Sequence, residues 1–161
     1  TGGVMEAALR TAYCFITKEN LKDVVFKDVR GLDGVKETSV KIAGTTVNIA
    51  VAHGLANVEY VLNRVRQAKE RNEPLAYHFI EVMACPGGCV GGGGQPYGVT
   101  DAVRTARAKG LYDDDEAQAV RYSHENPYVK KLYAEFLEKP LSEKAHHLLH
   151  TRYVPRPEYK K

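Results

Sequence analysis

Apolar positions change their spacing several times along the chain, and each change predicts an element. From Gly2 to Ile16, Val4, Ala8, Ala12 and Phe15 recur at helical spacing, and the two alanines allow a neighbour to approach closely. Val24 to Val29 is rich in β-branched and aromatic residues and reads as a short strand, closed by Gly31 and Asp33-Gly34. Glu37 to Ile42 and Thr45 to Ala52 read as two strands of an antiparallel hairpin turning at Ala43-Gly44. The second strand is almost continuously apolar from Val47 to Ala52, as expected of a strand covered on both faces. Leu55, Val58, Val61, Leu62, Val65 and Ala68 then return to helical spacing. Arg64, Arg66, Lys69 and Arg71 fall on the other faces, as a solvated surface would. Leu75 to Met83 is the next strand, so the order strand, helix, strand implies a parallel pair joined by a right-handed crossover.

Beyond Gly98 the strand pattern stops. Thr100 or Asp101 is placed to cap a helix running through Lys109, with Gly110 as its stop. After Asp113-Asp114-Asp115 short helices are expected. Asn126 before Pro127 is a cap with proline at the first helical position, and Val129, Leu132, Tyr133, Phe136 and Leu137 form the stripe to be buried. Ser142 starts a helix carrying Ala145, Leu148 and Leu149, and from Val154 the proline- and lysine-rich end reads as an extended tail. The fold class predicted is α/β, a small mostly parallel sheet flanked by helices, with a helical C-terminal extension that wraps against a larger body. The division expected is 1–98, an α/β lobe ending in a cysteine and glycine loop, then 99–153, the helical extension, then 154–161, the tail.

Composition narrows the class. With 161 residues, 43% of them hydrophobic, the chain can bury one real core, and disorder is excluded for most of it. A net charge of +3, with basic and acidic residues intermixed, gives little support to a nucleic-acid partner. No stretch is long and apolar enough for a membrane span, and no signal peptide opens the chain. The start at Thr1 suits an excised, processed or partial chain. Three cysteines, Cys14, Cys85 and Cys89, are too few for a secreted disulfide framework and fit a reducing compartment, so a cytoplasmic location is expected, periplasmic export with a partner remaining open.

The chemistry gathers at Cys85-Pro86-Gly87-Gly88-Cys89, followed by Gly91 to Gly94. Two thiols three residues apart, on a turn of proline and glycine, can reach one inorganic centre while backbone amides point at it. Thiolates are the soft ligands of iron clusters, and amide N–H groups aimed at sulfur adjust the potential. The glycines let the main chain approach a bulky cofactor. A Cys85–Cys89 disulfide is the bland alternative. Zinc is weaker, since a second ligand pair is missing. A nucleotide loop is rejected because no Gly-Lys-Ser/Thr follows and Pro96 and Tyr97 break the G-x-G-x-x-G spacing. Cys14 reads as a buried small hydrophobe. Glu81 is equally a functional carboxylate or a satisfied structural one, and His78 is structural. His146 and His150 share a helix face at a metal-binding spacing, but a pair alone is an incomplete site and both read as structural or surface residues.

Glu81-x-Met83-Ala84-Cys85-Pro86-Gly87-Gly88-Cys89-x-Gly91-Gly92-Gly93-Gly94-Gln95-Pro96 resembles the third H-cluster signature of iron-iron hydrogenases. Thr1-Gly2-Gly3-Val4-Met5-Glu6-Ala7-Ala8 resembles the segment after that family's second signature. Arg121-x-Ser123-His124-x-Asn126-Pro127, with Ala145-His146-x-Leu148-Leu149-His150-Thr151-x-Tyr153, is similar to its small-subunit-like tail. The resemblance covers essentially the whole chain, while the two earlier signatures, Thr-Ser-Cys-Cys-Pro and Met-Pro-Cys-x-x-Lys, are absent. It implies the C-terminal part of a catalytic domain that reversibly joins protons and electrons into dihydrogen. It further implies that Cys85 binds a 4Fe-4S cubane, that Cys89 bridges the cubane to a two-iron subcluster, and that Met83, Gly88 and Gln95 contact the cofactor. The ligands and proton relay outside this chain imply that it is inactive alone and holds no catalytic acid or base. Implied partners are the remaining N-terminal part of the hydrogenase and an electron carrier such as ferredoxin or a redox subunit. The alternative implied function is a non-catalytic, hydrogenase-like iron-sulfur assembly or sensory protein, and an interaction domain with merely reduced thiols is a third.

Overall fold

The computed structural model of the chain describes residues 1–22, 26 and 30–157. These fall into two compact units, Thr1–Tyr122 and the residues from Ser123 onward.

The first unit is α/β. Helix α1 (Gly3–Thr17) precedes the hairpin of β1 (Val35–Ile42) and β2 (Thr45–His53). Helix α2 (Leu55–Glu70) crosses to β3 (Phe79–Met83), and α3 (Asp101–Ala117) follows the cysteine loop. The sheet is mixed, in the order β1-β2-β3, with β1 antiparallel and β3 parallel to the central β2. The hairpin pairs Ile42 with Thr45 across Ala43-Gly44, both at positive φ (49° and 83°), which a two-residue turn of this twist requires. The sequence-predicted strand Val24–Val29 lies outside the described residues except for Phe26.

The alternation of β2 sets the layers. Ile49 and Val51 pack with Met5 and Leu9 of α1, whereas Ala50 and Ala52 pack with Val61 of α2 and with Tyr77. Each face of β2 thus meets a helix, which accounts for its unbroken apolar run.

In the first unit four expectations need correction. The face of α1 that meets the sheet carries Met5 and Leu9, and it is flanked by buried Glu6 and Arg10, whereas Val4 and Phe15 are exposed. On α2, Leu55 and Leu62 are exposed, and burial is confined to Val61 and Ala68 with partial cover of Val58 and Val65. The third strand begins at Phe79 rather than Leu75, with Leu75 exposed. Gly110 does not stop α3, which runs on through Asp113-Asp114-Asp115 to Ala117. A glycine inside a helix costs about 1 kcal/mol relative to alanine, a cost that tertiary contacts of the following turn offset.

The second unit holds a 3₁₀ turn (Ser123–Glu125), α4 (Pro127–Leu132), a π turn (Tyr133–Leu137) and α5 (Glu143–Leu149). Asn126 Oδ1 accepts from the Tyr128 and Val129 amides at 2.9 and 3.3 Å, and Ser142 Oγ accepts from Ala145 at 3.1 Å, so both sequence-predicted caps are made. The stripe expected to be buried is not. Of it only Leu137 is buried, while Leu132 and Phe136 are about half exposed at 48% and 52%. Residues 151–157 have no regular structure and are exposed.

Candidate functional site

Cys85 and Cys89 lie just past the carboxyl end of β3, at the edge where β2 and β3 run parallel. That edge is where open α/β sheets bind ligands. Cys85 is half-buried, and Cys89 is exposed within a 3₁₀ turn, Gly88–Gly91. The loop is a succession of tight turns: the Gly88 amide donates to Cys85 O at 2.9 Å, Gly92 to Cys89 O at 3.1 Å, and Gln95 to Gly92 O at 3.1 Å. Gly87 and Gly88 both have φ of +77°, a conformation glycine adopts without strain. A Cβ on Gly88 would come within 2.6 Å of Met83 Sδ. On Gly92 a Cβ would lie 3.5 Å from Cys85 Sγ.

Three side chains hold this loop from behind. His53, at the end of β2, accepts the Gly87 amide at Nδ1 (2.9 Å) while its Nε2 lies 3.0 Å from Leu32 O. An amide can only donate and a carbonyl only accept, so the ring proton sits on Nε2. Arg107 of α3 donates to Val90 O at 2.9 Å. The stem of Arg104 occupies the space that side chains on Gly87 and Gly91 would need.

Glu81 proves to be a structural carboxylate. Buried in β3, it accepts the amides of Gly2 (2.9 Å) and Met5 (2.6 Å), capping the first turn of α1. His78 is structural too, accepting the Asn48 amide at Nδ1 (3.0 Å).

A cavity of about 350 Å³ opens beside Cys89, walled by Met83, Val90, Val4, Ala108 and Leu111. Its charged end is an ion network. Arg10 bonds Glu6 (2.9 Å) and Asp115 (3.0 Å), Arg30 bonds Glu6 (2.6 Å) and Glu116 (3.1 Å), and Arg121 bonds Asp115 (2.6 Å). Hydrogen bonds from Arg10 and Arg121 hold the Asp115 carboxyl down to about 2. The Glu6 hydrogen bonds keep Arg30 charged even more firmly than usual, and its guanidinium lies 4.2 Å from the centre of the Tyr112 ring.

Of the site residues expected from the sequence, Met83, Gly88, Cys85 and Cys89 come together. Gln95 does not join the cavity wall and is exposed, and Cys14 is half-buried on α1. His146 and His150 stack at 4.3 Å in the second unit, on exposed positions. Among the described residues no three His, Cys, Asp or Glu side chains gather as a metal site. Sequence reasoning missed His53, Arg104, Arg107 and the network around Glu6. Only His53 carried a signal, a polar residue ending an apolar strand next to glycine. The arginines look like any solvated helix face.

Residues 1–93 match the family model of the iron only hydrogenase large subunit, C-terminal domain, and residues 101–156 match that of the iron hydrogenase small subunit. The chain belongs to the iron-only hydrogenase family. It corresponds to the C-terminal region of its relatives. It is 52% identical to the NADP-reducing hydrogenase subunit HndD of Solidesulfovibrio fructosivorans, over 97% of this chain and 26% of that protein. A variant of the apo FeFe hydrogenase HydA1 from Chlamydomonas reinhardtii superposes with a TM-score of 0.74 at 39% identity, covering 96% of this chain and 44% of that one. A probable cytosolic Fe-S cluster assembly factor of Drosophila melanogaster is 35% identical over 95% of this chain and 31% of its own length. The chain therefore spans about a quarter to a third of these two curated relatives. The second family match starts where α3 starts, although α3 belongs to the first compact unit. No described helix is long and apolar enough to cross a membrane.

Proposed function

We propose that this chain is the C-terminal part of the catalytic domain of an iron-iron hydrogenase, and that Cys85 and Cys89 give two of the thiolates that hold its H-cluster. The observation that carries this reading is the loop itself. Two thiols sit past the end of a parallel strand pair, on a main chain stripped of Cβ atoms where it closes on Met83 and Cys85, beside a mostly apolar cavity. The donor set fits iron, since soft thiolates on an amide-rich loop suit an iron-sulfur centre. Cys85 would hold the cubane, Cys89 would bridge it to the two-iron subcluster, and Met83 and Gly88 would line the cofactor, with Gln95 at the loop's outer end. When bound, the H-cluster supplies the electron storage and the dihydrogen chemistry. The chain's own residues position two thiols and fix the loop.

On this reading residues 1–98 are one lobe of the cluster domain, 99–153 the small-subunit-like extension and 154–161 a tail. The remaining ligands and the proton relay belong to the N-terminal part of the hydrogenase, so the chain alone is inactive. Electrons pass to a carrier such as ferredoxin or a redox subunit, in the cytoplasm.

The test is iron content and hydrogen evolution for Cys85→Ser, Cys89→Ser and Cys14→Ser in the complete polypeptide. Cys89→Ser is expected to abolish turnover, because a hydroxyl is a far poorer bridging ligand for iron than a thiolate. Cys85→Ser is expected to lose cubane iron, and Cys14→Ser to change neither. A wild-type polypeptide holding a cubane but never the two-iron part would instead fit an assembly protein of the kind named above. Loss of iron from Cys14→Ser with full activity in Cys89→Ser would overturn the assignment.

A further inference from the structure

We infer that Arg104 and Arg107 are positioning residues for the two thiols, so that α3, the start of the segment matching the small subunit, sets the geometry of a loop that lies in the segment matching the large subunit. The inference deepens the reading above and rests on it for the role of the loop.

The two arginines are three residues apart, about one turn of α3, and both meet the loop. Arg107 Nη1 donates to Val90 O at 2.9 Å, a charge-assisted bond to the carbonyl of the residue that follows Cys89. Arg104 works by shape. Its Cδ lies 2.7 Å from where a Cβ on Gly87 would sit, and its Nε lies 2.7 Å from the same point on Gly91. Gly87 and Gly91 bracket Cys89, and the Arg104 stem closes over both. The N-terminal end of α3 is itself fixed, since Thr100 Oγ1 accepts from Val103 N at 3.3 Å and Asp101 accepts from Arg104 Nη1. Arg104 Nε is buried and has no hydrogen-bond partner among the described residues, while Nη1 is anchored by Asp101 on α3 itself, so the contact of its stem with the loop is one of packing. The outer half of the glycine run contrasts with this. A Cβ on Gly93 or Gly94 would meet no atom of the described residues within 4 Å. The hold is confined to the half of the loop that carries the thiols.

Two consequences follow. Removing either contact frees the turns in which Gly88 and Gly92 bond Cys85 O and Cys89 O. Two cations behind the loop also favour the more negative, reduced form of any iron-sulfur centre held on its thiolates, so losing them makes its reduction potential more negative.

The experiment uses the complete polypeptide, with Arg104→Met, Arg107→Met, the double variant, Arg107→Lys, and Arg71→Met on α2 as control. In iron-free protein, amide hydrogen exchange of residues 84–95 is expected to accelerate by on the order of tenfold in the double variant, as expected for loss of a charge-assisted bond. Exchange in β2 should stay at the wild-type rate, and Arg107→Lys, which keeps a donor, should restore most of the protection. In iron-loaded protein the midpoint potential should shift negative in both methionine variants and stay put in Arg71→Met. Unchanged exchange of residues 84–95 in the double variant overturns the inference. So does acceleration shared equally with β2, which would mean general loosening of the fold. The exchange measurement needs no iron, so it stands even where the polypeptide takes up none and the hydrogenase reading fails.

Discussion

The residues up to Tyr122 and those from Ser123 onward carry equally clear helical patterns, yet they use them differently. In the first unit the apolar stripes of α1 and α2 meet a sheet, and Met5, Ile49, Val51 and Val61 lose all contact with solvent. In the second, α4 and α5 begin at well-made side-chain caps, but Leu132, Phe136, Leu148 and Leu149 remain about half exposed. Its buried residues are few, among them Leu137, Ala145 and Ser142, whose hydroxyl donates to Leu137 O at 2.7 Å. Caps are local and decide where a helix starts. Burial needs an opposite face, and periodicity says nothing about whether one is present.

The contrast can be broken most directly in the core. Ile49→Ala is expected to cost about 2 to 5 kcal/mol of stability in the complete polypeptide, because β2 has helices on both faces and the gap cannot close. Leu149→Ala should cost no more than about 0.5 kcal/mol if its exposure persists there. Denaturant melts of both variants decide. Comparable losses would mean that Leu149 is covered by protein outside these residues, and the difference between the units would vanish.

A smaller effect sharpens the comparison, since the first unit ties its elements with buried charge. Glu81→Gln leaves the Gly2 and Met5 amides a weaker acceptor and removes a negative charge from the N-terminus of α1. About 1 to 3 kcal/mol should be lost, with faster amide exchange in the first turn of α1 and no change in α5.

The smallest expected effect is on acid sensitivity. Asp115 ionises at about 2 in the folded chain against 3.8 ordinarily, so its contribution is complete above about pH 4 and is lost as the pH falls toward 2. Asp115→Asn should therefore melt below wild type at pH 7, and the gap should close between about pH 4 and pH 2. A gap that stays constant across that range would show that the carboxylate's charge contributes nothing.

The hairpin and the parallel pair were legible because alternation and a two-residue turn are local. The cysteine loop was legible because its residue types are rare together. The inward face of α1 was not, since Glu6 and Arg10 are buried only by virtue of Arg30, Asp115 and Arg121, far away in sequence. Gly110 misled for a related reason. The turn beyond it is held by Asp115, whose partner Arg10 lies on another helix. The loop's supports were hidden likewise, because an arginine facing solvent and one closing over a glycine are the same letter.

The tautomer of His53 makes the loop observable by spectroscopy. With Nδ1 accepting from Gly87 and Nε2 carrying the proton, the two ring nitrogens should give well-separated ¹⁵N resonances, one of pyridine type and one of pyrrole type. A single labelled imidazole would then report, in solution and without touching either cysteine, whether the main chain behind them is in place.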